Sequence, residues 1–283
     1  MKEFSPSLAV KSLAVALAIG FAPAAQSAIK TDIIFVVDES GSMGSAQTNL
    51  AANIGLFASI LSGGGLDARY GLVGYGDSAV IPRMLSNLTD AASLATAATG
   101  LRVSGGTESG YAGTAFALNA IDGQTSLFNF RNDAVKNIII FTDEDNDFIN
   151  QVGGQLGGDA ARYSEIDTLL TRNNALFNAV VSSGGACTVL NNNDATDDCY
   201  IPLALAHGGQ GFDLTQLQSS NQQNVQAFVT AFATAKLQET IDFCTANPND
   251  PACVNNPIPE PGALALLGIG LMGLAAARRR KTV

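Results

Sequence analysis

The chain has 283 residues, 47% of them hydrophobic and 14% charged, a composition that excludes both a disordered and a collagen-like protein. Its 15 Lys and Arg face 25 Asp and Glu; with the six basic and two acidic residues of the two ends set aside, 9 basic and 23 acidic remain, a net charge of −14 on the middle. So acidic a body excludes a nucleic-acid partner, whose phosphates need Lys and Arg to displace counterions, and suits divalent cations.

The first 28 residues read as a secretory signal peptide. Lys2 and Lys11 precede an apolar run from Leu13 to Phe21 and a cluster of small residues, with cleavage after Ser27 or Ala28. Residues 29–243 then alternate strand and helix patterns. Ile33 to Val37 is a continuous apolar, β-branched run, the mark of a strand buried on both faces, and it stops at Asp38. Leu50, Ile54, Phe57 and Leu61 recur at helical spacing until Ser62-Gly63-Gly64-Gly65 ends the helix. Tyr70 to Tyr75 is a second strand, and Ala79 to Leu85 a third that Pro82 assigns to an edge or an antiparallel position. A short helix over Asp90 to Thr99 leads into the loop Ser104-Gly105-Gly106-Thr107-Glu108, and a further helix follows from Tyr111 to Ile121.

Ile138 to Phe141 is another fully apolar strand, followed by Asp143. A helix over Ala160 to Arg172 and a strand over Leu176 to Val181 come next, then a long polar stretch, residues 182–209, read as an insertion. A short strand near Gly211 to Leu214 and a helix carrying Val225, Phe228, Val229 and Phe232 close the domain. The fold class expected is α/β, a doubly wound, mostly parallel sheet with helices on both faces. Residues 244–258 read as a stalk. Four cysteines in an exported chain point to two disulfides, with near-neighbour pairing of Cys187 with Cys199 and Cys244 with Cys253 expected among three connectivities. One His in the whole chain and no Cys-x-x-Cys spacing speak against zinc.

Residues 259–283 hold a Pro-Glu-Pro box at 259–261, an uncharged apolar run from Gly262 to Ala277, and the cluster Arg278-Arg279-Arg280-Lys281. As a helix the run spans ~24 Å, short of the ~30 Å hydrocarbon core, with the basic cluster on the cytoplasmic side. The order of elements resembles the PEP-CTERM sorting signal. That resemblance implies transient residence in the inner membrane, recognition by an exosortase, and delivery to the bacterial cell surface or extracellular matrix; an uncleaved tail anchor is the alternative.

In an open α/β sheet, ligands bind outside the carboxyl ends of the strands where the strand order reverses. Two strands reach that edge with Asp38 and Asp143, and the hydroxyls of Ser40, Ser42 and Thr107 stand nearby in sequence; oxygen-only donors, some neutral, describe a hard divalent cation such as Mg²⁺. Asp38-x-Ser40-x-Ser42 after an apolar strand, Gly106-Thr107, and Phe141-Thr142-Asp143 after another resemble, in order, the von Willebrand factor A domain and its metal-ion-dependent adhesion site. The resemblance implies that Ser40, Ser42 and Thr107 ligate the metal directly or through water, with Asp38 and Asp143 close by. It implies Mg²⁺ first, with Mn²⁺ and Ca²⁺ as alternatives, and a partner, protein or extracellular polymer, whose acidic group completes the shell. Glu144 stands where the family often has Gly, and Asp145 and Asp147 crowd the same loop, a charge excess that works toward Ca²⁺ and against an acidic ligand.

Catalysis finds little support. There is no Gly-x-Ser-x-Gly elbow, no His-Glu-x-x-His and no Walker loop, and His207 is the single imidazole. The expectation is a non-enzymatic surface protein that binds its partner through the metal. Two alternatives stand beside it: a structural surface protein with a fold-stabilising metal, and a metal-assisted hydrolase with Glu39 or Glu144 as base.

Overall fold

The computed structural model describes residues 28–76, 82–144, 146, 163–182 and 200–254. The segments read as signal peptide and sorting signal, Asp145 and Asp147, and the Cys187 to Cys199 pairing lie outside them. Six strands form one sheet in the order β3-β2-β1-β4-β5-β6. β1 (Ile29–Asp38), β2 (Leu66–Tyr75), β4 (Val135–Thr142), β5 (Leu176–Val181) and β6 (Gly211–Asp213) are parallel, while β3 (Arg83–Thr89) is antiparallel on the edge. β3 begins immediately after Pro82, which supplies no N–H to a ladder.

The expected doubly wound architecture is present, because β1 and β4 are apolar on both sides. Ile33, Phe35, Val37, Ile139 and Phe141 enter one core with α1 (Gly44–Gly63), α2 (Ala91–Ala98), α6 (Leu214–Leu217) and α7 (Gln222–Ala246). Ile34, Val36, Ile138 and Ile140 enter the other, with α3 (Gly110–Ala117), α4 (Tyr163–Asn173) and α5 (Tyr200–Ala206). On the first face Phe232 is the hub, its ring 4.8 Å from Phe212, 5.3 Å from Phe57 and 6.1 Å from Phe141.

Two segments differ from the sequence reading. The stretch read as a polar insertion ends in α5, whose Tyr200, Leu203 and Ala204 are fully buried; its seven-residue apolar run is short, contains Pro202 and is followed after His207 by the pair Gly208-Gly209. The start of the segment read as a stalk folds back in turns against the domain. Cys253 forms a disulfide with Cys244 in the last turn of α7, Ala252 is buried, and Asp250 accepts a hydrogen bond from Asn174 Nδ2 at 2.7 Å. Among the described residues no helix is long and apolar enough to cross a membrane.

Candidate metal centre

Strand order reverses between β1 and β4, so their carboxyl ends open a crevice, and the sequence places Asp38 at the end of one and Asp143 just past the end of the other. Asp38 is fully buried. Its Oδ1 accepts from the Ser40 amide at 2.6 Å and its Oδ2 from Thr142 Oγ1 at 3.0 Å. The chain then turns through a single 3₁₀ turn, Gly41–Met43, into α1. That turn sets Ser40 Oγ and Ser42 Oγ 3.2 Å apart, Ser40 buried and Ser42 exposed.

The loop before α3 is laid along this turn by backbone bonds. Ser40 pairs with Gly105 as an isolated bridge, Gly41 donates to the Gly105 carbonyl at 3.3 Å, and the amides of Ser104 and Gly105 donate to the Glu39 carbonyl at 3.0 and 3.1 Å. Half-buried Thr107 and, next to it, buried Glu108 are thereby brought to the crevice. One carboxylate oxygen from each of Asp38, Glu108 and Asp143 lies within 4.8 Å of the others. The structure therefore gathers Asp38, Ser40, Ser42, Thr107 and Asp143 at one edge and adds Glu108, which sequence reasoning passed over.

Glycine makes room for this packing. Gly76 has φ +84°, and a Cβ there would lie 2.8 Å from Asp38 Oδ1; at Gly74 a Cβ would lie 2.6 Å from the Glu39 carboxylate. The Glu39 side chain is fully buried, held by a two-pronged ion pair with Arg83 and by the Arg102 amide at 2.7 Å. Both of its carboxylate oxygens are engaged in these contacts. His207 lies by the opposite edge, its carbonyl accepting from Phe177 N near the start of β5 and its ring bonded to Asp167 at 2.9 Å.

The donor set fits a cation. Burial pushes the Asp38 carboxyl up, against hydrogen bonds from Glu108, Ser40 and Thr142 that pull it down. Burial, and then the Asp38 charge, push Glu108 up to about 9, so at neutral pH it keeps a proton and donates it to Asp38. Asp143 Oδ1 is buried and makes no hydrogen bond among the described residues. A cluster that retains a proton and leaves a buried carboxylate oxygen unsatisfied is short of positive charge, which a divalent ion supplies.

The comparisons agree with the architecture. Residues 32–186 match the von Willebrand factor type A domain, more than half of the chain, and the chain belongs to that family. Residues 257–281 match the PEP-CTERM protein-sorting motif. No curated protein matches the chain. Among solved structures, a similar chain is the pilus adhesin SpaC from Lactobacillus rhamnosus GG in its open conformation, at 16% identity and a TM-score of 0.44, a likeness too distant to bear on function. It covers 77% of this chain, which spans 31% of that adhesin's length.

Proposed function

We propose that this is an exported adhesion protein, carried to the cell surface or matrix through its sorting motif, that binds a protein or extracellular polymer through a divalent ion at the carboxyl edge of β1 and β4. The observation that carries the reading is the convergence of the Asp38 and Asp143 carboxylates at the strand-order reversal, beside the Ser40 and Ser42 hydroxyl pair. Ser40, Ser42, Thr107, Asp38 and Asp143 hold the ion, with water between where a side chain is too short. Held there, the ion would supply a Lewis acid for an acidic group of the partner. The protein's part is to hold that position still: Thr142 and the Ser40 amide fix Asp38, and the bridge to Gly105 fixes the loop bearing Thr107.

Two observations support binding over turnover, leaving Glu144 as the remaining candidate base of the hydrolase alternative. Glu39 is locked in its ion pair with Arg83, and the single imidazole sits by the far edge of the sheet. The test is adhesion of cells that display the protein, with chelation and with Asp143→Ala. Loss of adhesion with the fold intact supports the reading. A lower melting temperature with adhesion unchanged would assign the ion a structural role instead.

A further inference from the structure

Glu108 is the residue at this edge that the family motif does not account for. It is 4% exposed and directly follows Thr107, and its carboxylate shares the 4.8 Å cluster with Asp38 and Asp143. Resting on the reading of this edge as a metal site, we infer that Glu108 is itself a ligand of the ion and makes the centre selective for Ca²⁺ over Mg²⁺.

The spacing permits one shared ion. Oxygens bound at about 2.1–2.5 Å to a single hard cation stand no more than about 4–5 Å apart across it, and the three carboxylate oxygens fall inside that limit. The backbone holds Glu108 there from both sides. Upstream, the Gly105 pairing with Ser40 and the bonds to the Glu39 carbonyl anchor the loop; downstream, the Glu108 carbonyl accepts from Gly110 N at 3.1 Å and Asn146 Oδ1 accepts from Tyr111 N at 2.9 Å. Asn146 thus ties the start of α3 to the loop that carries Asp143.

The donor count then decides between ions. Mg²⁺ demands a near-ideal octahedron, keeps several waters and is held through one or two carboxylates, whereas Ca²⁺ accepts six to eight oxygens at longer, more variable distances and gains affinity with each anionic ligand. Three hydroxyls beside two carboxylates suit either ion. Glu108 releases to solvent, when the ion binds, the proton it shares with Asp38; this third carboxylate, fixed by the backbone close to the other two, brings the protein's own donors to six and favours the larger ion, which accepts more than six oxygens.

The experiment is calorimetric titration of CaCl₂ and of MgCl₂ into the purified full chain, stripped of metal, beside Glu108→Gln, Glu108→Asp, Ser40→Ala and Asp143→Ala, with circular dichroism to confirm each fold. The expected result is at least tenfold tighter Ca²⁺ than Mg²⁺ binding by the wild type, and a loss in Glu108→Gln of tenfold or more for Ca²⁺ against less than threefold for Mg²⁺. Should Glu108→Gln not fold, Glu108→Asp, which keeps the charge and withdraws the carboxylate by one methylene, reports the same selective loss. Affinities in the folded Glu108 variant within twofold of wild type, while Asp143→Ala loses binding, would overturn this inference and leave the metal site standing; an equal loss for both ions, or wild-type preference for Mg²⁺, would overturn the selectivity. A wild type that binds neither ion, or binding that survives both Ser40→Ala and Asp143→Ala, would remove the metal-site reading itself.

Discussion

At the scale of single residues, the proposed centre depends on groups outside its donor set. Thr142 donates to Asp38 Oδ2 at 3.0 Å from a fully buried position, so Thr142→Val keeps the shape and deletes that hydrogen bond, together with the longer ones its hydroxyl makes with the Glu144 carbonyl at 3.2 Å and amide at 3.3 Å. The bond to Asp38 contributes about 0.5–1.5 kcal/mol, so metal affinity measured by calorimetry is expected to fall roughly 3- to 10-fold, with a modest drop in melting temperature from the lost bonds to Glu144. Gly76→Ala is harsher. A side chain at φ +84°, with its Cβ 2.8 Å from Asp38 Oδ1, is expected to cost about 1–3 kcal/mol in urea unfolding and to weaken metal binding by moving that carboxylate. Glu39→Gln, by contrast, leaves Arg83 facing a neutral group. Arg83 is a third exposed, so the expected loss is about 2–3 kcal/mol of stability, with metal affinity preserved if Glu39 is the strut that its contacts make it.

At the scale of elements, the strands were legible in the sequence where both faces are apolar, as in Ile33 to Val37 and Ile138 to Phe141, and were read too short where a polar residue is buried by a distant partner. β1 begins at Ile29 because Asp32, fully buried, is paired by both Arg69 and Arg131, and nothing local to Asp32 announces those partners. The same holds at the metal edge. Asp38, Ser40, Ser42 and Asp143 lie beside strand ends and declare themselves, while Glu108 looks like a solvated loop residue until the bridge between Ser40 and Gly105 carries it inward. α7 holds another group of this kind. Lys236 is fully buried against Glu239, with Asn137 Oδ1 at 3.4 Å, and burial lowers its ammonium to about 8 against the pull of the Glu239 charge. Between about pH 8 and 10.5 the unfolded chain therefore holds a proton that the folded one has released, and stability from this group rises with pH; below about 8 both states are charged and it is flat. The urea-unfolding free energy of wild type relative to a Lys236→Met, Glu239→Gln double variant is expected to climb from pH 8 to 10. A flat or falling difference would mean that the ammonium stays charged in the folded protein.

At the scale of the whole molecule, the direction of the strands separates the proposed metal site from the disulfide-closed end of α7. β1 runs its ten residues, about 33 Å, from one edge of the sheet to Asp38 at the other. α7 runs back down, and the Cys244–Cys253 disulfide closes its end at the edge where Asp250 meets Asn174, just ahead of β5. The last described residue, Val254, lies near the edge opposite Asp38, Ser40, Ser42 and Asp143, and the sorting motif follows it in sequence from residue 257. Stability and binding should therefore separate. Cross-linking a nine-residue separation removes enough freedom from the unfolded chain to stabilise by about 2–3 kcal/mol, and sites that share no partners act independently. The Cys244→Ser, Cys253→Ser double variant is expected to lose about that much in urea unfolding while its calorimetric metal affinity stays within twofold of wild type. A coupled loss of metal binding would mean that the end of α7 and the carboxyl edge of β1 and β4 move as one unit.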